Sequence, residues 1–297
     1  MPKGNPPQVF QQTTTIEVDP AILTQNNDDD YESSGYSLNS EVDRYIYEND
    51  DVPMRVLDIG TGTGIWAIDF ADKYPNCQVL GTDLSPIQPI YVPPNCRFEV
   101  DDAEQDWLWP VDHFDFIHLR NLAQSMSSYP ALLRQAYSHL KPGAYLELGE
   151  LGAEIYSDDN TLSPTHGFKR FLNCIDTAFT AMGRPQQTAA TIQKLLEDAG
   201  FIDIQVSSFK QPFGPWPQDP RMKQIGAMVL VMAQTALEAY GMAPFTRYLG
   251  MSQEEAAQIC DAGVASVRNR HNHVYSYYHI AYGRKPYPEE MSSCDEQ

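Results

Sequence analysis

The chain has 297 residues, with 40 acidic against 20 basic side chains and a formal charge of −20. A surface of that sign repels phosphate backbones and anionic bilayers, which counts against nucleic acid and membrane as partners. Hydrophobic residues make up 42% of the chain and aromatic ones 11%, enough for one large core, so the sequence reads as one domain with insertions.

In chain order, residues 1–40 are rich in Pro, Gln, Thr, Asn and Ser and include "NNDDD". This composition predicts a flexible leader. If it acts as a lid over a ligand, Tyr31 and Tyr36 are its contacts. The first fifteen residues lack the apolar core of a signal peptide. Residues 41–297 then form the domain. "RVLDI" reads as a buried strand. "GIWAIDFADKY" reads as a helix, with apolar side chains at helical spacing and Pro75 to end it. "CQVLGT", "CRFEV" and "FDFIHL" are the next strands. "YPALLRQAYSHL" is a helix closed by "KPG", and "AYLELGE" a fifth strand. Strands alternating with helices predict βαβ units, a parallel sheet and right-handed crossovers.

The second half is less regular. "SPTHGFKRFLNCIDTAFTAMG" predicts a helix outside the sheet. "TAATIQKLLEDAGF" is an amphipathic helix stopped by Gly200, and "IDIQVSSF" a sixth strand. The proline-rich "FGPWPQDP" leads to two helices near 220–240 and 252–269. "HVYSYYHIAYG" alternates like a last strand. Insertions near 160–183 and 215–270 are therefore expected to form a helical cap. The run "IGAMVLVMA" is too short to span a bilayer. Five scattered cysteines without a CxxC pair fit reduced thiols, and hence a cytoplasmic or nuclear location.

The most informative stretch is "VLDIGTGTGIWAIDFADKYPNCQVLGTDLS", residues 56–85. Strand, glycine loop, helix, strand and acid follow in order. Glycines let the backbone approach a ligand, and the helix N-terminus offers free N–H groups. Asp83, at the end of the next strand, can accept from two ribose hydroxyls. A dinucleotide loop would carry its third glycine where Ile65 stands, and no Walker lysine follows.

"LDIGTGTGIWA" with "GTDLS" resembles the first two motifs of class I S-adenosylmethionine-dependent methyltransferases. The longer set "DIGTGTGIWAIDFADKYP", "GTDLSPIQP", "VPPNCRFEVDDAEQDW", "FDFIHLRN", "LKPGAYLELGE" and "GPWPQDPRMKQIG" is similar to fungal LaeA-like methyltransferases, a group of velvet-associated regulators and natural-product tailoring enzymes. The resemblance implies a Rossmann-like, seven-stranded α/β sheet with helices on both faces and S-adenosyl-L-methionine as cofactor. It places the methionine part on Gly60, Thr61, Gly62, Thr63 and Gly64, with Asp58 just before them. Asp83 and Leu84 fall at the ribose. Asp102 and the Ala103 backbone fall at the adenine, and Arg120 and Asn121 at the methyl group.

Candidate catalytic residues are His118 at the end of the fourth strand, His166 after the fifth, and Glu150 at the mouth of the crevice. Each also has a plain reading as a packed or capping residue. His271 and His273 suggest a metal pair, but no partner at telling spacing completes it, so no metal site is expected. The resulting expectation is methylation of a small natural product in fungal secondary metabolism, at oxygen before other atoms. Two rivals stand beside it: a velvet-type regulator working through protein partners, and a cofactor-binding cyclase that transfers no methyl group; a protein partner or a homodimer is expected alongside the small-molecule substrate.

Overall fold

The computed structural model describes residues 8–12, 14–18, 45–46 and 53–291. The alternation of the sequence closes into one mixed sheet. Its strands are β1 (Gln8–Gln11), β2 (Arg55–Ile59), β3 (Gln78–Asp83), β4 (Cys96–Val100), β5 (Phe114–Arg120), β6 (Leu140–Tyr156), β7 (Ile202–Pro212) and β8 (Tyr275–Arg284). Their spatial order is β1-β7-β8-β6-β5-β2-β3-β4. β8 alone runs antiparallel to its neighbours. The helices are α1 (Ile65–Lys73), α2 (Tyr129–His139), α3 (Gly167–Ala181), α4 (Ala189–Ala199), α5 (Pro220–Arg247), α6 (Gln253–Arg268) and α7 (Pro288–Met291).

Strand periodicity fixes which helices cover which face. Leu57 and Ile59 of β2 point to one face and meet Leu133 and Ala136 of α2 with Ile192 and Leu196 of α4. Val56 points to the other and meets Ala67 and Phe70 of α1. The parallel strands β2, β3, β5 and β6 therefore end together at one edge, where βα loops build the crevice.

Seven strands match the expected sheet, and β1 adds an eighth. It lies inside the stretch read as a flexible leader, which corrects that reading for Gln8–Gln11. The reason is long-range pairing: β1 lies parallel to β7, Gln8 opposite Gln205 and Gln11 opposite Ser208. Residues 14–18 are tied down as well. The Ile16 amide donates to Asp158 (3.0 Å), and the Lys210 ammonium donates to the Thr14 carbonyl (2.8 Å) and to Asp158 (2.7 Å).

β6 also exceeds the expected "AYLELGE". It continues to Tyr156 because β8 returns beside it, with Leu151 opposite Tyr278 and Tyr156 opposite Tyr275. β6, β7 and β8 thus rise beyond the crevice as a three-stranded tongue. Against it, α3, α5 and α6 make a second core from Phe168, Phe171, Phe179, Leu237, Phe245 and Ile259. α5 is longer than expected and keeps Pro244 inside. By length and composition α5 is apolar enough to cross a bilayer; 28% of its most apolar stretch is buried, and Ala233, Leu237 and Phe245 join this second core.

Candidate functional site

The loop between β2 and α1 takes a path that side chains oppose. Gly60, Gly62 and Gly64 have φ of 64°, 59° and 82°. All three lie in the left-handed region that favours glycine. Their neighbours differ. A Cβ at Gly60 would sit 2.4 Å from Leu122 Cδ2, and one at Gly64 would sit 2.4 Å from Phe98 Cζ. At Gly62 nothing lies within 4 Å. Two glycines therefore seat the loop on its own protein, and the middle one opens to the crevice.

Several residues hold the loop. The Asp83 carboxylate accepts from the Gly62 amide and from the Ser85 amide, both at 2.9 Å. The Gln88 side-chain amide donates to the Gly62 carbonyl at 2.6 Å. The Thr61 hydroxyl donates to Asp58 Oδ2 at 2.5 Å, and Asp58 Oδ1 lies 2.7 Å from His118 Nδ1. The His118 ring stacks flat on Trp66 at 3.8 Å with an interplanar angle of 1°. Asp58 and His118 are 2% and 4% exposed. Both are fully engaged beneath the loop. Asp58 holds the Thr61 hydroxyl, and His118, which the sequence offered as a catalytic candidate, is buried against Asp58 and Trp66.

The helix behind the loop is open at its start. Gly64 is the N-cap of α1, with no side chain bonding its first amides and no acid in its first turn. Free N–H groups at a helix start suit a carboxylate. An ionised carboxylate has about four lone-pair sites, and the Asp83 oxygens use two on amides, so acceptor capacity remains for hydroxyls. These features fit S-adenosylmethionine: space over Gly62, uncapped amides at α1 and a carboxylate within the same crevice.

The neighbouring loops fall in line. Thr63 and Leu84 are exposed beside Gly62. Asp102 turns back on its own loop, accepting from the Glu104 amide at 3.0 Å and the Gln105 side chain at 3.1 Å. The Ala103 carbonyl accepts from the Trp107 indole at 3.2 Å. Arg120 ends β5 within electrostatic reach of Asp69 on α1. Asn121 turns the chain with a φ of 54°, its amide donating to the Gly149 carbonyl at 2.8 Å. Tyr36 lies outside the described residues.

At the end of β6, Glu150 is 5% exposed. Its Oε1 accepts from the Leu122 amide, the Ala123 amide and the Tyr129 hydroxyl, each at 3.0 Å. Burial raises its pKa, and these donors pull the other way. Level with it on β8 stands His279, whose Nδ1 lies 2.7 Å from the Ser208 hydroxyl of β7. Burial lowers the His279 pKa, so the ring is neutral near pH 7. Tyr129, Ser208 and His279 went unmarked in the sequence. His279 had a signal: it is a polar residue in the alternating run of β8.

His166 is not brought to this place. It precedes α3 at the far end of the tongue, where the next residue, Gly167, donates its amide to Ser266. Phe179, at the other end of α3, meets Tyr240, whose hydroxyl feels the Glu150 charge. The twelve residues from Gly167 to Phe179 rise about 18 Å along α3. Its ring is buried with neither nitrogen hydrogen-bonded. His273 pairs with Asp159 at 2.5 Å, and among the described residues no group of three or more metal-ligating side chains assembles.

Known proteins place this geometry. Residues 32–206 match the profile of a methyltransferase domain. The chain is 41% identical over 236 residues to methyltransferase pytC of Aspergillus terreus, covering 78% of this chain and 72% of that one. It is 40% identical over 235 residues to secondary metabolism regulator LAE1 of Cochliobolus heterostrophus, covering 78% and 76%. Among solved structures, a candidate methyltransferase from an antibiotic biosynthesis pathway of Anabaena variabilis superposes with a TM-score of 0.51 at 12% identity, covering 82% of this chain and 96% of that one. With the glycine loop, the Asp83 carboxylate and the sheet order, these matches show that the chain belongs to the class I S-adenosylmethionine-dependent methyltransferases, in the LaeA-like branch.

Proposed function

We propose that the protein methylates a hydroxyl group of a small, largely apolar natural product in fungal secondary metabolism. The observation that carries this is the glycine loop, open over Gly62 and fastened by Asp83, in a chain 41% identical to methyltransferase pytC. Burial, and then the charge of Glu150, raise the pKa of the Tyr240 hydroxyl on α5. The similarity to pytC supports the same reading.

The bound cofactor supplies an electrophilic methyl group on a sulfonium. The chain supplies position. In this scheme Asp83 and the glycine loop hold the donor in place. Orientation of this kind is worth up to about 7–11 kcal/mol. His279, neutral and oriented by Ser208, takes the hydroxyl proton in this scheme. It is preferred in this scheme to His118 and His166 as the base.

The test is incubation of purified protein with S-adenosylmethionine and extracts of a producing fungus. A product heavier by one methylene unit, with matching release of S-adenosylhomocysteine, supports the proposal. A new product without that release points to the cyclase. A second reading, regulation through a protein partner, is favoured by Met228, Val231 and Met232, exposed at 39%, 61% and 66% along α5, and by the similarity to LAE1. Stable co-purification of one partner from fungal nuclei, with no turnover in extracts, would favour it.

A further inference from the structure

Glu150 looks at first like a base at the mouth of the crevice. Its hydrogen bonds describe another task. Three donors converge on one oxygen, and two of them are the consecutive amides of Leu122 and Ala123. Those amides belong to the loop that leaves β5 through the left-handed Asn121. No helix or strand holds them; the buried carboxylate does.

The loop reaches the cofactor side through Leu122. Leu122 is 7% exposed, and its Cδ2 lies where a Cβ on Gly60 would come within 2.4 Å. Its isobutyl group therefore rests on the first glycine of the cofactor loop. Tyr129, the first residue of α2, gives the third bond and ties the carboxylate to a rigid element.

We propose that Glu150 is a positioning residue for the cofactor: it fixes the Leu122–Ala123 amides so that Leu122 holds Gly60 and the glycine loop in the binding shape. The inference rests on the assignment of S-adenosylmethionine to that loop. It links the acceptor side of the crevice to donor affinity, through one carboxylate and one leucine. A buried carboxylate with a purely structural role would change stability when removed and leave affinity alone.

The experiment is calorimetric titration of the full chain with S-adenosylmethionine, with thermal unfolding of each variant measured in parallel. Glu150→Ala is expected to weaken binding about tenfold, the scale of losing hydrogen bonds to a charged group. Glu150→Gln keeps a carbonyl oxygen for the same donors and is expected to stay within about threefold of the wild type. Leu122→Ala is expected to match Glu150→Ala, and the double variant to be no weaker than either, because both act through one contact. Glu150→Ala binding within about twofold of the wild type, or two losses that multiply in the double variant, would overturn the inference. Should Glu150→Ala fail to fold, Leu122→Ala decides alone, and unchanged affinity there overturns it. A wild type that binds no S-adenosylmethionine overturns the cofactor assignment, and the inference with it.

Discussion

The Asp83 carboxylate spans the mouth of the crevice to the Gly62 amide, 2.9 Å away, so the end of β3 and the middle of the glycine loop are one unit. Asp83 is thereby a loop fastener, and we propose that its remaining acceptor capacity serves ribose hydroxyls. Asp83→Ala is expected to cost roughly 1.5–3 kcal/mol of S-adenosylmethionine affinity, the range for hydrogen bonds to a charged group. Calorimetry measures it. Unchanged affinity would remove Asp83 from the site.

The glycines of the loop predict a split between binding and folding. Gly62→Val meets no protein atom but enters the ligand's space at φ 59°, so it should fold with a modest penalty and lose the cofactor. Gly64→Ala meets Phe98 at 2.4 Å and φ 82° and should lose about 1–3 kcal/mol of stability. Denaturant titration with cofactor binding on each variant checks both. A Gly62→Val protein that binds normally would displace the ligand from the loop.

His118 is expected to matter for the fold before it matters for chemistry. His118→Ala strips a hydrogen-bond partner from the buried Asp58 and a stacked ring from Trp66, and should cost about 1–3 kcal/mol, the range for leaving a buried polar group without its partner. Equilibrium unfolding in urea reads the loss. A drop in turnover at full stability would instead return His118 to the catalytic group.

Acid should act on the tip of the tongue. Burial raises the Asp159 carboxyl, but bonds from His273, Ser157 and Thr161 outweigh it and bring its pKa from 3.8 down to about 2. A depressed carboxylate pKa contributes stability above the unfolded value and loses it as pH falls through the folded one. The difference in melting temperature between the wild type and Asp159→Asn should therefore be full above pH 4 and vanish towards about pH 2. A difference independent of pH would show that the charge is not the cause.

The parts legible in the sequence were those whose cause is local. The glycine spacing, the apolar runs of β2 to β5, the helical spacing of α1 and the Gly200 stop were each set within a dozen residues. β1 was not legible, because its partners Gln205 to Ser208 stand almost two hundred positions away. The same is true of β6 beyond Glu150, where "LGAEIY" becomes strand only beside β8. In the site, the residues of the cofactor loop could be named, but their duties could not. Asp58 and His118 carry the polar character of a ligand site, and only the fold shows both turned inward beneath the loop. Glu150 was visible at a strand end, yet the amides it binds lie across a turn that no periodicity marks.

The pairing of Gln8–Gln11 with β7 has a practical side. An outer strand with free amides and carbonyls is a template for other chains, and proteins cover or blunt such edges. β1 covers one flank of β7 over Gln205–Ser208. A chain shortened by its first dozen residues would present that flank bare, so clumping on storage, with the crevice intact, is the cost to expect from trimming this end.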